Sequence, residues 1–232
     1  MAKLLPSDYG RRVIRAAIFD LDGTLVDSLP GIAEGLNRAL AAKGLPVHPP
    51  ERVRTFIGNG SWMLAKRGLG EGASDAEVDE IEAGFFREYS ETWRGGTSLY
   101  PGVHELLNNL HTDGLPLAVL SNKPHRFTIE IIDAFFDWVP FAAVLGQLDA
   151  IPRKPDPTGA LEVAEKLGIP PAEIAYVGDS TVDFETARAA GMPPFLVTWG
   201  FHSAEQLKAT SAPLFDSAED LRRSLLAPHP AG

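Results

Sequence analysis

The stretch Phe19-Asp20-Leu21-Asp22-Gly23-Thr24-Leu25-Val26-Asp27-Ser28 decides how the chain is read. Ile14, Ala16, Ala17 and Ile18 lead into it, so two acids stand at the mouth of a short apolar run. Such a run, apolar on both faces and too short for a stable helix, reads as a buried strand. Carboxylates at the end of a buried strand are costly to desolvate unless a metal or specific hydrogen bonds hold them. The string therefore asks for separate tasks. Asp20 suits a nucleophile, and Asp22 suits a general acid that turns base in a second step. Gly23 permits the tight turn behind them. A strand closed by a polar Asp-Gly turn would explain a lone D-x-D-G, but not the full ten residues.

Working outward, the same form recurs. Apolar runs at 116–120, 142–145, 174–177 and 195–198 lead into Ser121-Asn122, Gly146, Gly178-Asp179 and Trp199-Gly200. Helical stripes lie between them: Val103, Leu106, Leu107 and Leu110; Leu161, Ala164 and Leu167; Phe184, Ala187 and Ala190. The last two are closed by Gly168 and Gly191, the expected helix stops. Alternating strand and helix predicts a doubly wound, mostly parallel α/β sheet of the Rossmann-like kind. In such a sheet the strand ends share one edge, where ligands bind. Asp20, Ser121 and Asp179 would meet there.

One stretch breaks the alternation. From Ser28 to Trp93 only helical patterns are visible: a stripe of Leu29, Ile32, Leu36 and Leu40, and a second of Val78, Ile81, Phe85, Tyr89 and Trp93. The second is opened by a Ser74/Glu77 capping box. The expected division is an α/β core of residues 1–25 and 97–232 with a helical unit at 26–96, returning at Gly95-Gly96. Residues 227–232 read as a loose tail.

The 232 residues carry a net charge of −10 and no cysteine. Disulfides, thiolate metal sites and cysteine nucleophiles are excluded, and an acidic chain is a poor partner for nucleic acid. Residues 1–10 lack the apolar core of a signal peptide, and no apolar stretch is long enough to span a bilayer. The expectation is a cytoplasmic protein, monomer or homodimer, without nucleic acid or membrane as partner.

These residues together resemble the haloacid dehalogenase superfamily. The string from Asp20 to Ser28 resembles its first motif in the form its phosphatases use. Ser121-Asn122 resembles the second motif, Lys154 within Arg153-Lys154-Pro155-Asp156-Pro157 the third, and Gly178-Asp179-Ser180-Thr181-Val182-Asp183 the fourth. The resemblance implies a phosphatase that passes through an aspartyl phosphate on Asp20, with Asp22 as acid–base and Lys154 neutralising charge. It implies Thr24, Ser121 and Asn122 in substrate binding. It also implies a small phosphorylated metabolite as substrate, and Mg²⁺ held by Asp20, Asp179 and the backbone carbonyl of Asp22, with Asp183 binding it directly or through a water. The helical insert occupies the type-one cap position. Within it Phe56-Ile57-Gly58-Asn59-Gly60 and the following Arg67 resemble the cap of bacterial phosphoglycolate phosphatases. That resemblance implies a substrate-facing turn at Gly58, Asn59 and Gly60, and makes Arg67 the candidate for gripping a substrate carboxylate. Ser121 stands where those enzymes commonly have Thr, and Trp62 and Gly200-Phe201-His202 are less typical.

Other readings keep part of this pattern. A dehalogenase of the superfamily needs neither the second aspartate nor the metal acids, which argues against it. A phosphatase of another sugar or nucleotide phosphate, or a phosphomutase, would keep every core motif. A non-catalytic phosphate-binding module would not be expected to keep them all.

Overall fold

The computed structural model describes residues 13–227. The expectations for the first ten residues lie outside that range, as does nearly all of the tail. In chain order the elements are β1 (Ala16–Phe19), β2 (Val26–Asp27), α1 (Leu29–Ala41), α2 (Pro50–Arg54), α3 (Ser61–Leu69) and α4 (Asp75–Thr92). Then follow β3 (Ser98–Leu99), α5 (Val103–Thr112), β4 (Leu117–Pro124), α6 (His125–Phe135), β5 (Ala143–Gln147) and α7 (Thr158–Leu167). The chain closes with β6 (Ile174–Gly178), α8 (Thr181–Ala190), β7 (Pro194–Val197), α9 (Ala204–Lys208), β8 (Leu214–Phe215) and α10 (Ala218–Leu226).

Six strands form a parallel sheet in the order β5-β4-β1-β6-β7-β8. β1 is central and fully buried, as its apolar faces demand. Phe19 pairs with Val119 of β4 and Val177 of β6. The residues just beyond these three points therefore leave the sheet side by side at one edge. The helix stops also hold: Gly168 and Gly191 cap α7 and α8 in the left-handed conformation.

Three details differ from the sequence reading. β4 runs on to Pro124 through a register shift between Leu120 and Pro124. Ser121 thus lies in the irregular end of a strand, and Pro124 stands at the N-cap of α6. The two-residue strand β8 is invisible in periodicity because it is too short to alternate. β2 and β3 pair antiparallel where the chain leaves and re-enters the sheet, Val26 opposite Leu99.

Between β2 and β3 the described elements are all helical. α1 packs along α4, burying Ile32, Leu36 and Leu40 on one side and Val78, Ile81, Phe85 and Tyr89 on the other. Ser74 and Glu77 form the full capping box at the start of α4. The first turn of α1 touches the segment that returns to the sheet: the Gly31 N–H donates to the Gly96 carbonyl at 3.0 Å. A Cβ at Gly96 would stand 2.3 Å from the Gly31 Cα, so only glycine allows that approach.

Candidate active site

Asp20 is the first residue past β1, and its carboxylate is almost fully buried. Oδ1 accepts the Leu21 N–H at 2.7 Å and faces the Lys154 ammonium at 3.0 Å. Lys154 reaches the centre from the loop after β5. Its Nζ also donates to Asp183 Oδ1 at 2.7 Å. Asn122 fixes the lysine's backbone from both sides, accepting its N–H at 2.8 Å and donating to its carbonyl at 3.0 Å. The second motif thus holds the third in place.

Asp183 sits at the third position of α8 and is completely buried. Its Oδ2 accepts the Ser180 hydroxyl at 2.6 Å and the backbone N–H groups of Ser180 and Asp179 at 3.1 and 3.2 Å. The helix-capping box is therefore also the scaffold of the site. Asp179, just past β6, accepts the Phe201 N–H on Oδ2 at 2.6 Å and the Thr24 hydroxyl on Oδ1 at 3.3 Å. Glycines line its berth. A Cβ at Gly23 or at Gly200 would fall 2.3 Å from Asp179 Oδ2.

Oxygens of Asp20, Asp179 and Asp183 all lie within 4.8 Å of one another. Three buried carboxylates face one ammonium, an excess of negative charge that a divalent cation would offset. The donor set is all oxygen, which suits a hard cation. The protonation equilibria carry the same message. Burial, with Asp183 nearby, pushes the Asp20 carboxyl up to about 7 against the pull of Lys154. Burial and the neighbouring acids push Asp179 well above the usual carboxylate range. For Lys154, burial works against the ammonium, but Asp183 and Asp20 outweigh it and hold it firmly protonated.

Asp22 belongs to a second, separate arrangement. Its Oδ1 accepts the Ser28 hydroxyl at 2.6 Å, and both of its oxygens lie 3.0 Å from Lys123 Nζ. Lys123 is buried. Its desolvation is outweighed by Asp22 and Tyr89, so its ammonium is raised above its usual range. Sequence reasoning did not select Lys123 as a site residue, because it stands outside the four motif positions. The available signal was its position one residue past Asn122 in a strand-end motif, where a lysine needs a buried acid.

A cavity of about 70 Å³ opens over these groups. Asp20, Asp22, Ser121, Asn122 and Asp179 line it from the sheet edge, and Gly58 and Gly60 line it from the helical side. Asn122 bridges the two sides by donating to the Gly58 carbonyl at 3.0 Å. Arg54 of α2 makes a second bridge, donating to the carbonyls of Gly200 and Phe201. His202 also lines the cavity and belongs to none of the four motifs.

Three expected substrate-binding residues are placed otherwise. Arg67 does not line the cavity. Its guanidinium is spent on the Phe56 carbonyl and Asn59 Oδ1, both at 2.7 Å, stiffening the 56–59 turn from behind. Asn59 is consequently turned to Arg67 and is not a lining residue either. Thr24 also stays out of the lining and serves Asp179.

Fold and site together define a doubly wound α/β enzyme with a lysine-braced acid cluster able to hold a metal ion at the carboxyl edge of its sheet. The family profile for haloacid dehalogenase-like hydrolases matches residues 17–197. The chain belongs to that family of hydrolases. It is 38% identical over 237 aligned positions to the phosphoglycolate phosphatase of Shigella boydii serotype 4 (strain Sb227), covering 93% of this chain and 94% of the relative. The phosphoglycolate phosphatase of Escherichia coli (strain K12) matches with the same identity and coverage. A crystal structure of a predicted phosphoglycolate phosphatase from Haemophilus somnus 129PT superposes with a TM-score of 0.84 at 32% identity, covering 91% of this chain and 97% of that one. No helix among the described residues is long and apolar enough to cross a membrane.

Proposed function

We propose that the protein is a phosphatase of small phosphomonoesters, with 2-phosphoglycolate as substrate, working through an aspartyl phosphate on Asp20. The observation that carries this reading is the division of the two motif acids between two lysines. Asp20 is paired with Lys154 at 3.0 Å, and Asp22 with Lys123 at 3.0 Å. Two carboxylates one residue apart in a strand-end turn are thereby given different environments, as a nucleophile and an acid–base need.

Leu21 and Lys154 engage Asp20 Oδ1, leaving Oδ2 as the oxygen without a donor among the described residues and hence the attacking atom. Attack forms the Oδ2–phosphorus bond while the bond to the leaving oxygen breaks, and Asp22 delivers a proton to that oxygen. In the second half Asp22 takes a proton from water as the water oxygen bonds to phosphorus, and Asp20 departs as carboxylate. The Ser121 hydroxyl and the Asn122 N–H donate to equatorial oxygens, and Lys154 offsets charge developing on Asp20 and the phosphoryl group. Asp20, Asp179, Asp183 and the Asp22 carbonyl are the residues that would hold Mg²⁺, which supplies charge neutralisation for an anionic phosphate meeting an anionic nucleophile. Residues 26–96 act as the cap. The small cavity favours a small leaving group, and the net charge of −10 favours a metabolite over nucleic acid.

The test is phosphate release from a panel of phosphomonoesters with Mg²⁺ and with EDTA, together with beryllofluoride trapping on Asp20. Metal-dependent preference for 2-phosphoglycolate and a trapped adduct are expected. Activity spread evenly over larger sugar and nucleotide phosphates would remove the substrate assignment, and absence of turnover without a sugar bisphosphate would point to a phosphomutase.

A further inference from the structure

Asp22 must come within hydrogen-bond reach of the leaving oxygen to protonate it, and Lys123 lies 3.0 Å beyond Asp22. The ammonium is therefore within roughly 6 Å of the leaving oxygen, two hydrogen-bond lengths away. A carboxylate two carbons from an ester oxygen spans much of that gap. Of the described residues lining the cavity, Lys123 is the only lysine or arginine, while Asp20, Asp22 and Asp179 line it as acids. Elsewhere the lining is acidic, apolar at Ile32, Leu64, Phe85 and Phe127, or neutral polar, with His202 as the remaining basic side chain.

The neighbouring wall is also short of partners. Tyr89 packs its ring against Lys123, Nζ lying 4.6 Å from the ring centroid. Its hydroxyl is buried beside the Lys123 ammonium and the Thr97 side chain and makes no hydrogen bond of full geometry with either. Tyr89 lines the cavity, and a buried hydroxyl without a well-formed hydrogen bond has capacity left for a ligand acceptor. The start of α3 opens onto the same cavity at Gly60 and Ser61, with no side-chain cap on its free N–H groups. The Asp22 carboxylate occupies one side of an ammonium that has three donors.

We propose that Lys123 and the Tyr89 hydroxyl form the subsite for the substrate's second anionic group, the carboxylate carried on the leaving group. This rests on the reading of the protein as a phosphatase of small carboxylated phosphomonoesters, and it transfers to Lys123 the task the sequence suggested for Arg67. Specificity and acid–base positioning then share one ammonium, so a carboxylated leaving group is sensed next to the atom that protonates it.

The experiment compares kcat/KM for 2-phosphoglycolate and for 2-hydroxyethyl phosphate, which replaces the carboxylate with a neutral alcohol. It uses the Mg²⁺-loaded enzyme and its Tyr89→Phe and Lys123→Met variants. The ratio of the two values is insensitive to the fraction of a variant that folds. Tyr89→Phe is expected to lower the ratio about tenfold, the worth of one hydrogen bond to a charged group. Lys123→Met is expected to lower it further and also to cut kcat on both substrates, because it releases Asp22. A ratio unchanged in both variants would overturn the subsite even if all activities fall. A wild-type ratio near one would instead overturn the carboxylated-substrate reading on which the subsite rests.

Discussion

Replacing Lys154 with methionine removes the single ammonium that braces the acid cluster while keeping the length of its buried stem. The Nζ group holds Asp183 at 2.7 Å and Asp20 at 3.0 Å, and its side chain is 4% exposed. Removing one partner of a buried ion pair strands the other and costs about 3–5 kcal/mol. For a chain of this size that is about 6–20 °C in Tm. The loss should depend on pH in a defined direction. In the metal-free protein the folded Asp20 carboxyl is raised from its ordinary 3.8 to about 7. Its contribution to stability is therefore complete below the lower value and is lost as pH rises through the upper one. Lys154 lowers the pKa of both Asp20 and Asp179; without it both rise further, and the penalty grows from about pH 5 to pH 8 as more unpaired negative charge is forced into the site. Mg²⁺ should recover part of the loss by supplying positive charge to the same oxygens. Differential scanning fluorimetry of both proteins at pH 5 and pH 8, with Mg²⁺ and with EDTA, measures all of this. A Tm deficit that is equal at the two pH values and indifferent to the metal would refute the reasoning, leaving Lys154 as a packing residue only.

Other outcomes follow from the same geometry. Gly200→Ala drives a Cβ to 2.3 Å from Asp179 Oδ2, so titration calorimetry should show Mg²⁺ binding weakened at least about tenfold with the circular dichroism spectrum retained; unchanged affinity would mean Asp179 is not a ligand. Apparent metal affinity should weaken as pH falls below about 7, because protons compete for Asp20. The expected slope is about tenfold per pH unit for each proton displaced, and a flat profile from pH 5 to 8 would exclude Asp20 from the metal shell. Arg67→Ala should raise KM for 2-phosphoglycolate and for a neutral aryl phosphate by similar factors, since Arg67 supports the 56–59 turn and stays out of the cavity. A selective loss on the carboxylated substrate would restore Arg67 as its binding residue.

Much of this protein is determined locally and is therefore legible in its sequence. The apolar runs before Asp20, Ser121 and Asp179, the stripes of α1 and α4, the Ser74 capping box and the glycine stops at 168 and 191 each depend on neighbours within a few residues. Because parallel strands expose their ends at one edge, that local reading also brought Asp20, Ser121 and Asp179 together. What the tertiary structure alone decides is how the charges are paired. Lys123 and Asp22 are 101 residues apart, and no periodicity links them. Arg67 and Asn59 lie close in sequence, yet only the packing of α3 behind the turn shows that each satisfies the other and that neither lines the cavity. Asn122 joins Gly58 to the Lys154 backbone across segments with no common pattern. Periodicity records which face of an element leaves water, whereas the partner a buried charge finds there depends on where the whole chain brings distant elements into contact.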